Sequence, residues 1–335
     1  MKTLTLLMLV LGLAWSGNGF AADVDYFGVI KLQQFYQTNA SAPVLGSNGY
    51  SFQAFVNASS SFSVTNASVK PSNANPLRTL APNSDGTIWR FEEAFASQAL
   101  LDSAYPAGSG FSPVNYAVNM QTVNDGARSA NLNFVLIFSL VSYPGTLQVQ
   151  NWLAAQNIDH TADFTLTWNT PSVSFLPILQ LVILDISSNV VYSTPAPFQP
   201  GALSGSSTQA IIPAFSLPPG TNLIGHLTVA NLGTPNTNSY PGAIGVPALA
   251  KDTFFSIVTR PAPLTPHLET RPRSSGNFVL RVSGESNRWY HIQATTTFGA
   301  WTNLLTTNSV SGVFDYADPS SSSFPARFYR ARTGQ

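Results

Sequence analysis

The residues able to carry acid–base, nucleophilic or metal chemistry are few and scattered. The four histidines, His160, His226, His267 and His291, lie far apart, and none has a second ligand at metal-binding spacing. Glu92 and Glu93 are neighbours on an expected strand. Adjacent strand residues point to opposite faces, so they cannot act as the paired carboxylates of a glycosidase. Ser109 in AGSGF has Ala107 where a hydrolase nucleophile elbow needs glycine. Asp315 and Asp318 fall in the serine-rich turn FDYADPSSSS, where carboxylates shape the turn, and no third carboxylate is near enough to complete a Ca²⁺ site. There is no HExxH pattern, no phosphate-binding glycine loop and no cysteine. No cofactor and no metal are implied.

One constellation points to contact chemistry instead. In RWYHIQAT, Tyr290, Ile292 and Ala294 share one strand face and leave Trp289, His291 and Gln293 on the other. With Val279, Arg281 and Ser283 of the preceding strand alongside, the expected surface is Trp289, His291, Arg281 and Gln293. Such a surface can stack on a sugar ring and hydrogen-bond its hydroxyls. The competing reading makes Trp289 cover for the second face of a small module that needs every aromatic for its core. His226 alternates outward from Leu223, Gly225, Leu227 and Val229 and is expected to be a solvated surface residue.

The elements that position these residues are strands. Phe52, Ala54 and Val56, then Phe164, Leu166 and Trp168, then Phe278, Leu280 and Val282, each alternate with a second set and supply one buried face. Helix is confined to short pieces, the best being Ser97 to Tyr105, capped by Ser97 and ended by Pro106 and Gly108. No strand is followed by a long amphipathic helix, which excludes bundles and doubly wound folds. Two runs, FVLIFSLV (Phe134 to Val141) and LPILQLVILDI (Leu176 to Ile186), are apolar on both faces. An antiparallel sandwich strand needs one apolar face, so Val182, Leu184, Ile186, Val135 and Ile137 are expected to be covered by protein.

The middle segment carries FTLTWNTP (Phe164 to Pro171), LQLVILD, VVYST, SLPPGTNL (Ser216 to Leu223) and HLTVAN (His226 to Asn231). This order resembles a fibronectin type III domain from about Leu147 to Thr259, which implies a seven-stranded antiparallel sandwich. Leu223 stands where that family has its corner tyrosine, so apolar packing must hold the corner. The segment before it, with YSFQAFV, TIWRFEEAF and the strand pair joined through Asp125-Gly126, looks like a second sandwich. These segments and the tail, GNFVLRVSG, RWYHIQATTTFGAWTNLLTT and ARFYRAR, resemble secreted proteins of planctomycete and verrucomicrobial bacteria. That resemblance implies export and tandem β-modules, and no reaction.

The expected fold is therefore all-β: two tandem immunoglobulin/fibronectin-III-like β-sandwiches at 22–145 and 146–260, a Pro-rich linker at 261–276 and a small C-terminal β-module at 277–335. Residues 1–21 read as a secretory signal peptide, with an apolar run from Leu4 to Trp15 and small residues Gly19 and Ala21 before the cut. With no cysteine there is neither a lipid-anchoring thiol nor a disulfide. Only 9% of the 335 residues are charged and the formal net charge is zero, which argues against nucleic acid as a partner. The charge is uneven: Asp23 to Arg260 holds 7 basic and 11 acidic residues, and Pro261 to Gln335 holds 7 and 4. The expected role is a secreted (extracellular, cell-surface or periplasmic), noncatalytic structural or binding protein acting by protein or polysaccharide contact at the cell surface or outside the cell, with no membrane span in the mature chain. The alternative is a carbohydrate-active enzyme with loop-borne carboxylates. A third reading is a passenger whose basic tail is read by an export or surface-attachment system.

Overall fold

A computed structural model describes residues 22–72, 76–136, 139–174, 176–262 and 264–334. The chain divides into two compact units, Met1–Arg260 and Pro261–Gln335. The expected signal peptide lies outside the described residues, and so does Ile137. No described helix is long and apolar enough to cross a membrane.

The first unit runs through β1 (Val24–Gln37), β2 (Val44–Ala58), β3 (Val64–Pro71), β4 (Arg78–Thr79), β5 (Ala81–Pro82) and β6 (Ile88–Phe95) to the helix α1 (Gln98–Ala104). It continues with β7 (Tyr116–Thr122), β8 (Ala127–Leu132), β9 (Val135–Leu136), β10 (Ser139–Leu140) and the single-turn helix α2 (Trp152–Ala155). Its last strands are β11 (Phe164–Thr167), β12 (Pro177–Leu184), β13 (Val190–Ser193), β14 (Gln209–Ile212), β15 (Asn222–Leu232) and β16 (Ile244–Val258). The Ser97 side chain accepts from the Leu100 amide and satisfies one orphan donor at the start of α1, as its position before the apolar turn predicts.

Both sandwiches share one sheet. Its order is β13-β12-β15-β16-β1-β2-β6-β5, and the seam is the pairing of the first strand with the last. β1 and β16 run parallel, in register from Tyr26 opposite Ile244 to Gln37 opposite Phe255. The sheet β4-β3-β7-β8 closes the first half, packing Val118 and Met120 over Phe27, Val29, Phe52 and Val56. The pair β11-β14 closes the second, with Leu166, Ala210 and Ile212 over Leu181, Ile183, Leu227 and Val229. Trp168 lies in this second core and donates Nε1–H to the Ser207 carbonyl at 2.8 Å, so its polar atom is satisfied where its ring is buried. Leu223 is buried at the corner, and the Thr259 hydroxyl ties that corner by donating to the Pro218 carbonyl at 2.6 Å.

The reverse face of the shared sheet carries its own apolar cluster, with Tyr26, Ile30 and Leu32 on β1, Ile178 on β12, Ala230 and Leu232 on β15, and Val246, Ala248 and Ala250 on β16. Strands buried on both faces read as continuous apolar runs, which accounts for the composition of β12. Leu184 and Val182 are buried as expected. Ile186 is not: it is 80% exposed, because the strand ends at Leu184. Beyond it, Asp185 Oδ1 turns the chain by accepting from the Ser187 and Asn189 amides at 2.8 Å.

The second unit comprises β17 (His267–Ser274), β18 (Asn277–Ser283), β19 (Arg288–Thr295), β20 (Thr302–Ser309), β21 (Val313–Asp318) and β22 (Phe328–Gly334). They form two three-stranded sheets, β17-β18-β21 and β20-β19-β22, with Leu280, Val282, Tyr290 and Ile292 at the centre of the core. Here the expected linker is corrected. Only its first residues precede a strand, since β17 begins at His267 and pairs with β18 from His267 opposite Ser283 to Arg271 opposite Val279. Pro272 falls in the register irregularity that follows, on an edge strand where a missing N–H costs no ladder bond. Ser275 and Gly276, both at positive φ, make the tight turn into β18. Limited proteolysis is therefore expected to cut between Pro261 and Pro266 and to spare His267 to Gly276. Early cleavage within β17 would contradict this pairing.

Candidate functional site

The second unit decides the fate of the expected contact surface. β18 and β19 do not pair. The link Gly284–Asn287 crosses from one sheet to the other, and Glu285 fixes it by accepting from Arg288 Nε at 2.7 Å and from the Leu264 amide at 3.2 Å. Phe278, Leu280 and Val282 of β18 face Tyr290 and Ile292 of β19 across the core. Their alternate residues consequently point away from each other.

Arg281 is thus on the outer face of the sheet opposite to the one bearing Trp289, His291 and Gln293, and the expected four-residue patch is split. Arg281 is also engaged: its Nε and Nη2 bind Asp315 Oδ1 and Oδ2 at 2.7 and 2.8 Å. This fork holds the Asp315 carboxyl below the usual carboxylate range, hydrogen bonding being the largest cause. Asp318 is occupied too, accepting from Arg327 at 2.6 Å and from the Tyr329 hydroxyl at 2.8 Å. Burial, then that hydrogen bond, pushes the Tyr329 phenol up to about 12. Each carboxylate considered for Ca²⁺ is already matched by an arginine.

The remaining three residues do share a face. The ladder of β20-β19-β22 sets Trp289 between Asn308 and Gly334, His291 between Thr306 and Arg332, and Gln293 between Asn303 and Arg330. His291 Nδ1 and the Thr306 hydroxyl are 2.9 Å apart, and Asn303 Nδ2 donates to the same hydroxyl at 2.9 Å. Gln293 Oε1 accepts from Arg330 Nε at 2.8 Å. A side chain at Gly334 would meet His291 Nε2 at 2.5 Å, so glycine there leaves room for the imidazole. Trp289 is 47% exposed and so is not spent on the module's core. At the other end of the face the Arg330 guanidinium lies 4.2 Å from the centre of the Trp301 ring, with Phe298 and Phe328 packed alongside. Arg330, Trp301 and the β20 polar residues are the part of this surface that sequence reasoning missed. For Arg330 and the β20 residues the only signal was alternation in TNLLTTNS and FYRARTG, which does not say which strand lies next to β19, and Trp301 falls outside both.

In the first unit His226 is a correction. It is 2% exposed, since the reverse face to which alternation assigns it is itself buried. Its ring stacks on Phe254 at 4.5 Å and its Nε2 lies 3.0 Å from Asp252 Oδ2, while Thr228 donates to Asp252 Oδ1 at 2.7 Å. Among the described residues, no three of His, Cys, Asp and Glu are grouped to hold a metal. Glu92 and Glu93 take different partners, Gln53 for the first and Arg78 and Tyr105 for the second, as opposite faces require.

Fold and surface together define an all-β chain of sandwich domains with an open aromatic and polar sheet face. No protein-family model matches the sequence, and no curated protein does. Among solved structures, the chain is similar to the chicken CNTN1 FN1-FN3 domains at 9% identity and a TM-score of 0.21, with 88% of each chain covered. It is also similar to a tetra-tandem repeat in the extending region of a large adhesion protein, at 14% identity and TM-score 0.20, covering 92% of this chain and 74% of that one. A third is the BSP domain of a biofilm associated protein, at 8% identity and TM-score 0.19, covering 90% and 62%. Similarity at this level transfers neither a ligand nor a role.

Proposed function

We propose that this chain is a secreted, noncatalytic structural or binding protein that acts by polysaccharide or protein contact at the cell surface or outside the cell. The observation that carries the reading is Trp289, an exposed indole on the central strand of its sheet, in register with Asn308 and on the same face as His291 and Thr306. An indole offers an apolar plate for a sugar ring, and amide and hydroxyl neighbours match the ring's hydroxyl rim. Trp289, Asn303, Thr306 and Asn308 on this face are all exposed, which suits binding in contact with water rather than a reaction that must exclude it. The amino-terminal signal peptide would deliver the chain to that compartment, and the resemblance to exported bacterial β-module proteins belongs to the same reading.

Co-sedimentation with insoluble polysaccharides, with reducing ends measured in the same tubes, tests it. The expected result is retention in the pellet with no release of reducing ends, and loss of retention in Trp289→Ala. Release of reducing ends that one carboxamide substitution abolishes would instead establish a carbohydrate-active enzyme.

A further inference from the structure

The charges of the second unit sort themselves in a way that selects a ligand. Its four side-chain carboxylates each face an arginine: Glu269 with Arg271 at 3.7 Å, Glu285 with Arg288 at 2.7 Å, Asp315 with Arg281 at 2.7 Å and Asp318 with Arg327 at 2.6 Å. Seven arginines stand against those four acids, so the net positive charge of the unit resides on the other three, Arg273, Arg330 and Arg332. Two of these three, Arg330 and Arg332, are on the outer face of β20-β19-β22, and no acidic residue occurs in any of its strands. Neither makes an ion pair among the described residues. Uncompensated cations on a face with exposed aromatics are arranged for an anion that arrives with an apolar ring.

We propose that the β20-β19-β22 face binds an acidic polysaccharide, with Arg330 and Arg332 taking successive sugar carboxylates and Trp289 stacking on a pyranose ring. This rests on the contact role proposed above and names the polymer. Arg330 and Arg332 point to the same side two residues apart, so their positions are about 7 Å apart along the strand, a spacing at which one chain reaches both. A guanidinium presents a planar fork that matches a carboxylate, and Trp301 holds that of Arg330 in place by stacking. Asn303, Thr306 and Asn308 line the β20 side of the same face with neutral donors and acceptors, suited to hydroxyls between the charges. A neutral glycan brings no counter-charge to the two arginines that lack an acidic partner. A nucleic acid is disfavoured because its binding draws on many phosphate contacts and this face offers two arginines.

The test uses the whole mature chain, with polygalacturonate, its fully methyl-esterified form and single-stranded DNA as probes, followed by affinity electrophoresis at low and moderate salt. The expected result is retardation by polygalacturonate, weakened by salt and lowered about tenfold by each of Arg330→Gln and Arg332→Gln. Arg273→Gln, on the other sheet, should leave it unchanged, and a thermal melt of each variant confirms that it is folded. Equal retardation by the esterified polymer would overturn the acidic class while leaving the contact role standing. Binding of polygalacturonate that both arginine variants retain would overturn this face as the site. Stronger binding of DNA would overturn the ligand class. A panel in which no polysaccharide of any kind binds would remove this proposal and the polysaccharide half of the contact role beneath it, leaving protein contact.

Discussion

Leu184→Lys is expected to be among the most damaging single substitutions in the first unit. Leu184 is 3% exposed near the end of β12, paired to Ile224 on β15 and to Val190 on β13, and it belongs to the reverse face of the shared sheet. Removing its side chain from a packed site forfeits about 2–5 kcal/mol. An ammonium in its place adds the penalty of burying a charge, and the adjacent Asp185 carboxylate is already engaged by Ser187 and Asn189. Lysine can relieve part of this by snorkelling, because Ile224 beside it is partly open. The net expectation is a loss of at least about 3 kcal/mol, seen as a fall in melting temperature of roughly 10 °C for a unit of this size. Unchanged stability, with the new amine reactive to an acylating probe, would show that this face is solvent and that the two-sided burial is wrong.

Gly28→Val is the second large effect, and it reports on the seam. A Cβ at Gly28 would lie 2.5 Å from the Val246 carbonyl oxygen and 2.5 Å from the Phe55 ring. The ring can turn, but the carbonyl belongs to β16 and cannot retreat without loosening the parallel pairing. Overpacking of this kind costs about 1–3 kcal/mol, and a backbone obstacle places it at the upper end. Because β1 joins the two halves, both should lose stability together. Trp89 in the first core and Trp168 in the second serve as separate reporters. In variants retaining one or the other, denaturant midpoints should shift by the same amount. A shift confined to Trp89 would mean that the sandwiches fold as independent beads.

The readable part of the fold was what alternation and local turns encode. The all-β class, the Ser97 cap and the burial of Trp168 and Leu223 follow from neighbours within a few residues. The seam between β1 and β16 did not announce itself: parallel pairing has no hairpin turn to mark it, and its partners are separated by most of the first unit. The misplacement of His226 and Ile186 has one origin. A face assignment says on which side a residue lies, and only the tertiary arrangement says whether that side is covered and where the strand stops.

The candidate surface shows the same division. Trp289, His291 and Gln293 lie on one face because they alternate along one strand. Arg281 would join them only if consecutive strands paired, as they would were Gly284–Asn287 a hairpin, and β18 and β19 lie in different sheets. Both strands have a fully apolar inner face, and two such faces are better satisfied against each other than side by side, which is the arrangement found. Arg330 on β22 and Trp301 just before β20 complete the face, and no local pattern specifies that these strands lie beside β19.

A glycan array probed with the intact chain, next to the same chain ended at Arg260, tests the central claim most directly. The account predicts polysaccharide signals for the intact chain that disappear when the second unit is removed, while the shortened protein keeps its own unfolding transition. Identical signals from the two proteins would contradict it, because binding would then belong to the shared-sheet unit and not to the face that carries Trp289.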